Sequence, residues 1–125
     1  MKYRPFGKTG VEVSEVGLGA WPLGGKTFVA GSPITYGDVP EKEAVRIVES
    51  ALNLGINLID TADSYGLGRS ERVIGKAIQG RRDRVFIATK ACWVPDQEEI
   101  FMRDVSYHNL LATCDRSLKR LGTDH

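Results

Sequence analysis

Apolar positions along this chain switch between a spacing of two and a spacing of three to four, the marks of strand and helix. Ala44, Val45, Val48, Ala51 and Leu52 recur at helical spacing behind Pro40. Glu41 and Glu43 suit the positive end of that helix, and Gly55 supplies a stop. The pattern returns in Val73, Ile74, Ala77 and Ile78, a helix predicted to open at Ser70 and stop at Gly80, and again between Ser106 and Gly122. In that third helix Leu110, Leu111, Cys114, Leu118 and Leu121 are predicted inward, with Arg116, Lys119 and Arg120 outward. Short apolar runs separate the helices: residues 16–20, interleaved with Gly17 and Gly19, then INLID at 56–60, then 85–89. Ahead of them, residues 3–14 hold two short runs around Gly7-Lys8-Thr9-Gly10, which predicts a β-hairpin.

Residues 22–39 are rich in Gly, Pro, Ser and Thr, lack a period, and read as one long loop of the kind that is functional or mobile. Pro95 breaks the next segment, and residues 96–106 are polar apart from Ile100, Phe101 and Met102. Thr123-Asp124-His125 predicts the beginning of another strand. Strands alternating with helices imply an α/β domain with a parallel sheet and right-handed crossovers, spanning 1–125, with residues 1–14 as a capping hairpin.

Two α/β architectures compete. A doubly wound sheet binding a dinucleotide calls for G-x-G-x-x-G between strand and helix. Gly66-Leu67-Gly68-Arg69-Ser70-Glu71 ends in an acid instead, which repels a pyrophosphate, and Lys90 stands where that fold wants an acid after the next strand. A (β/α)8 barrel puts its chemistry at the C-terminal ends of the strands. Asp60, Tyr65 and Lys90 all fall there. With Asp60 and Lys90 inward, Leu58, Ile56, Ala88 and Phe86 are inward too, and Ile87 and Val85 face helices, so both faces are apolar as a barrel strand requires.

Composition narrows the possibilities. Seventeen basic and 16 acidic side chains give a formal net charge of +1, no electrostatic case for nucleic acid or an anionic membrane. No apolar run approaches the ~20 residues of a membrane span, and MKYRPFGKTG lacks a signal-peptide core. Cys92 and Cys114 read as reduced core thiols of a cytoplasmic protein, and two cysteines with two histidines show no metal-ligand spacing.

Taken singly, a strand-end aspartate is commonly a turn residue, a tyrosine in a Gly-rich loop packs, and a strand-end lysine is solvated. Their convergence on one rim points further. A phenol is a weak acid with an ordinary pKa of about 10; a neighbouring ammonium favours its anion, and a carboxylate can hold that ammonium in place. Asp60, Tyr65 and Lys90 thus form a candidate proton donor to a carbonyl oxygen. The trio stores no electrons, so a reduction needs an external hydride source.

GINLIDTADSYGLGRSERVIGKAI followed by RVFIATK closely resembles the aldo-keto reductase superfamily. YRPFGKTGVEVSEVGLGAW resembles its opening hairpin and first strand, and SLKRLGTDH the helix and strand start before its fourth barrel strand. The resemblance implies the N-terminal part of a (β/α)8 TIM barrel. It implies Tyr65 as general acid, assisted by Lys90, with Asp60 paired to Lys90. It implies hydride from NADPH, NADH not being excluded, to a small aldehyde or ketone, with Gly19, Ala20, Trp21 and Asp60 beside the nicotinamide. Trp21, Tyr65 and Trp93 are the implied substrate walls, core packing being an equal reading of Trp93.

The family's catalytic histidine lies at the end of the fourth strand, so neither His125, at that strand's start, nor His108, in a helix, matches it. A whole barrel takes about 250 residues, so 125 are expected to hold the first half or less and to leave an apolar sheet edge open to self-association. Two readings stay open: the N-terminal part of a reductase, or a non-catalytic half-barrel serving as an interaction or assembly module.

Overall fold

The computed structural model describes residues 1–29, 32–33, 37–91, 93–95 and 101–125. β1 (Tyr3–Pro5) and β2 (Glu12–Ser14) pair antiparallel as the predicted hairpin. Asn57 ties it to the start of the next sheet: Ser14 N–H donates to Asn57 Oδ1 at 2.7 Å, and Asn57 Nδ2 donates to Glu12 O at 3.1 Å. A three-stranded parallel sheet follows, ordered β3 (Leu18–Gly19), β6 (Leu58–Asp60) and β7 (Phe86–Ala88). The helices α1 (Glu41–Asn53), α2 (Arg69–Ala77) and α3 (Tyr107–Leu121) lie where the periodicity places them, within a residue or two. Ser106 caps α3 by accepting from Asn109 N–H, and left-handed Gly122 ends it.

All three helices cover the same face of the sheet. Ile59, fully buried, meets Ala44 and Val48 of α1, Val73, Ile74 and Ala77 of α2, and Leu121 of α3 in one core, with Leu18 and Ile87 packed against it. Register explains this: Leu18, Ile59 and Ile87 stand side by side, and so do Gly19, Asp60 and Ala88, which point the other way and are exposed. A doubly wound sheet carries helices on both faces; a barrel keeps them outside and leaves the inner face to the strands. The arrangement is that of a barrel wall, with Asp60 and Ala88 inward as predicted.

Several sequence expectations change. The loop 22–39 is not wholly irregular: a 3-10 turn at Trp21–Gly24 leads into it, and paired strands β4 (Phe28–Val29) and β5 (Ser32–Pro33) lie within it. Pro22 sits in the first turn of that 3-10 segment, where its missing N–H costs nothing. Pro95 closes rather than breaks an element, since β8 (Trp93–Pro95) pairs antiparallel with β9 (Phe101–Arg103). Thr123-Asp124-His125 form no strand; Arg82 Nη2 instead donates to His125 O at 2.7 Å. The buried face of α3 is Thr113, Ser117 and Leu121, while Leu110, Leu111 and Cys114 are exposed and only Leu118 is half-buried. Arg120 points inward, to Glu71. Cys114 is therefore a free surface thiol rather than a core one, and Cys92 lies outside the described residues.

Candidate active site

The inner face of the sheet presents Asp60 at the end of β6. Lys90, two residues beyond Ala88, returns to the same side. Its ammonium has three donors and meets three acceptors: Asp60 Oδ1 at 2.7 Å, Asp60 Oδ2 at 2.9 Å and Thr61 O at 2.8 Å. Its fourth neighbour is the Tyr65 ring, whose centroid lies 5.3 Å from Nζ, within cation–π range. The Lys90 and Asp60 side chains are 50% and 53% exposed, and an ion pair that open contributes at most about 1 kcal/mol to folding.

Tyr65 sits in the turn between β6 and α2. Its N–H donates to Ala62 O at 3.2 Å and its carbonyl accepts from Ser70 N–H at 3.2 Å. Gly66, Leu67 and Gly68 follow with φ of 62°, 50° and 81°. Three successive left-handed residues turn the chain from strand to helix, and Leu67 does so against the preference of a residue with a Cβ. Trp21, opening the 3-10 turn after β3, stacks on Tyr65 with centroids 5.9 Å apart and planes at 18°. Backbone packing brings the two turns together: a Cβ on Gly24 would lie 2.8 Å from Gly66 N and Tyr65 C, so glycine alone fits.

The implied cofactor residues divide. Gly19 faces open space, with no atom within 4 Å of where a Cβ would stand, and Trp21 is 39% exposed. Ala20 is fully buried; its N–H donates to Asp60 O at 2.8 Å and its carbonyl accepts from Ser70 Oγ at 2.9 Å, so it offers nothing to a ligand and instead ties β3 to β6. Trp93 is placed in β8 by its backbone, and its side chain lies outside the described residues.

Beneath the rim runs a polar layer that sequence reading missed. The single proton of the Ser70 hydroxyl goes to Ala20 O, so Thr61 Oγ1 donates to Ser70 Oγ across 2.9 Å. Glu71, fully buried, accepts from Thr89 Oγ1 at 2.8 Å and from Arg120 Nη1 at 3.0 Å, linking α2 and α3 to the residue before Lys90. Asp63 is also buried and its Oδ1 has no partner. Burial, and secondarily the neighbouring Glu71 charge, hold its carboxyl above the usual range. Glu71, read in sequence only as the acid that spoils a dinucleotide motif, carried a signal in being an acid beside an apolar helix stripe. The hydroxyls carried none.

The sequence model of the Aldo/keto reductase family matches residues 15–125. The chain belongs to the aldo/keto reductase family. Aldo-keto reductase YhdN of Bacillus subtilis (strain 168) is 39% identical over 127 residues, covering all of this chain and 36% of that protein. The NADH-specific methylglyoxal reductase of Escherichia coli (strain K12) is 34% identical over 135 residues, covering all of this chain and 40% of that protein. Among solved structures, the holo form of aldo-keto reductase AKR11C1 from Bacillus halodurans superposes with a TM-score of 0.83 at 34% identity, over all of this chain and 38% of that one. The aldo/keto reductase chain described here thus spans 36–40% of the length of these relatives. Its hairpin and open parallel sheet are the N-terminal part of the family's (β/α)8 barrel.

Proposed function

We propose that this chain supplies the proton-donating face of an NAD(P)H-dependent reductase that converts an aldehyde or ketone to an alcohol. The observation that carries the reading is the half-exposed Lys90–Asp60 pair set against the Tyr65 ring on the inner rim of the sheet. Tyr65 donates its phenolic proton to the carbonyl oxygen. Lys90, its direction fixed by Asp60 and Thr61, holds a cation 5.3 Å from the ring centroid, beside the charge that develops as the proton leaves. Solvent, which reaches the rim, returns the proton.

A nicotinamide ring fits the residues present: the open space over Gly19, the exposed Trp21 and the lone pairs of Asp60 would hold it. When bound it supplies the hydride to the carbonyl carbon. NADPH is the proposed nucleotide; the Escherichia coli relative is named NADH-specific, so both belong in the assay. Trp21 and Tyr65 form one wall for a small carbonyl substrate, with Trp93 as a proposed second. A free, exposed Cys114 suits a reducing compartment, and the cytoplasm is the proposed location.

The test pairs binding with turnover. Titrating the chain with NADPH and NADH while following fluorescence of Trp21 and Trp93 is expected to show saturation in the wild type and in Tyr65→Phe alike. Tyr65→Phe is expected to lower aldehyde reduction by about a hundredfold or more, the range of a lost general acid. Retained turnover in that variant removes Tyr65 from the role.

A further inference from the structure

The turn that carries Trp21 is gripped by a residue that the proposed chemistry does not use. Arg69 is the first residue of α2, and its side chain reaches back over the loop that follows Trp21. Nη1 donates to Leu23 O at 3.2 Å, and Nη2 donates to Val39 O at 2.6 Å. The two carbonyls stand at opposite ends of that loop, so one guanidinium closes its mouth. Between them lies Gly25, at φ 70° and ψ −159°, a region open to glycine almost alone. A Cβ there would collide with Arg69 Nη1 and lie 3.0 Å from Cζ, so the glycine also makes room for the fork. On its other side the turn rests backbone to backbone on Tyr65 and Gly66 through Gly24.

Leu23 is buried and Val39 half-buried, so the fork bonds carbonyls that water does not satisfy freely. The two bonds leave from different nitrogens of one planar guanidinium, a fixed fork whose span a single ammonium nitrogen does not present.

We propose that Arg69 is a positioning residue for the substrate wall: it fixes the mouth of the loop so that Trp21 stays stacked on Tyr65, and thereby sets how tightly the carbonyl substrate is held without touching it. The inference rests on the reading of Tyr65 and Trp21 given above. Losing Arg69 frees the Trp21–Gly24 turn from above while leaving Tyr65, Lys90 and Asp60 in place. Substrate binding should then weaken more than the chemical step.

The experiment compares wild type, Arg69→Ala and Arg69→Lys in the 125-residue chain, with far-UV circular dichroism confirming that each is folded. Hydrogen exchange is read at the Leu23 and Gly25 amides, which bond to Ala20 O and Pro22 O inside the turn. Both variants are expected to exchange there roughly tenfold faster or more, with a shifted Trp21 emission, and millimolar guanidinium is expected to reverse both changes in Arg69→Ala alone. In the reductase assay KM is expected to rise about tenfold with kcat within about twofold. Unchanged exchange and emission in Arg69→Ala overturns the proposal, as does raised exchange with KM unmoved. An inactive wild type would show that these residues alone do not complete the reductase site, and the exchange and rescue measurements would still decide whether Arg69 grips the turn.

Discussion

At the scale of single residues, Asp63 is the carboxyl, among the described residues, that burial pushes above its ordinary range. It is buried, one oxygen lacks a partner, and Glu71 stands near it. Arg116 and Arg120 and the Ser64 N–H pull the other way but do not prevail. A carboxyl whose folded pKa lies above its unfolded value binds more protons folded than unfolded between the two values. Stability is therefore fullest below the unfolded pKa and falls as pH rises through the folded one. Asp63→Asn removes the charge at nearly constant shape. It is expected to stabilise the chain by about 1 kcal/mol at pH 8, where the wild-type carboxylate is ionised and under-bonded. The gain should shrink towards zero as pH falls below the ordinary carboxylate range. Urea unfolding at both pH values reads the difference, and a gain independent of pH would rule out this account. Asp60 and Lys90 were legible in the sequence because strand alternation fixes which way they point, and Tyr65 because a Gly-rich turn follows the strand. Asp63, Thr61, Ser70 and Thr89 were not: a hydroxyl or carboxylate in a turn looks the same whether it ends up in water or beneath a sheet.

At the scale of elements, the positions of the helices were readable and the orientation of α3 was not. Five apolar residues promised an inward leucine stripe, yet the helix buries Thr113, Ser117 and Leu121. The cause lies across the contact. Gly75 in α2 lets the α3 backbone come so close that an added Cβ would sit 2.7 Å from Arg120 O and from Leu121 O. Close approach favours small side chains on the facing helix, and the Arg120–Glu71 pair fixes the rotation. Gly75→Ala sets two effects against each other. Helix propensity favours alanine by about 1 kcal/mol, but overpacking against a backbone that cannot swing aside costs about 1–3 kcal/mol. The second is expected to win, with net destabilisation of up to about 2 kcal/mol, read as a lower urea midpoint at unchanged slope. A raised midpoint would mean that the two helices separate at little cost.

At the scale of the whole molecule, two open surfaces among the described residues bear on association. One is the inner face of the sheet, where Leu58 and Phe86 are half-buried and β7 has no strand on its outer edge among the described residues. The other is the outer side of α3 and its approach, where Val105, Tyr107, Leu110 and Leu111 are 69%, 72%, 39% and 51% exposed. Both offer apolar area for association, but not on equal terms. Covering the sheet face means desolvating the Asp60–Lys90 pair, which close packing of two ions out of water opposes. Covering the α3 side removes apolar surface from water, each leucine contributing on the order of 1 kcal/mol for the part still exposed. Self-association through α3 is therefore the expected outcome at high micromolar concentration. Sedimentation velocity across a concentration series should show the sedimentation coefficient rising in the wild type. Leu110→Glu/Leu111→Glu should stay monomeric, with its unfolding free energy within about 0.5 kcal/mol of wild type because neither leucine is in the core. Association that persists in the double variant would move the contact to the sheet, where Phe86→Glu should then abolish it. A wild type monomeric throughout would mean that the exposed leucines are too scattered to hold two chains together.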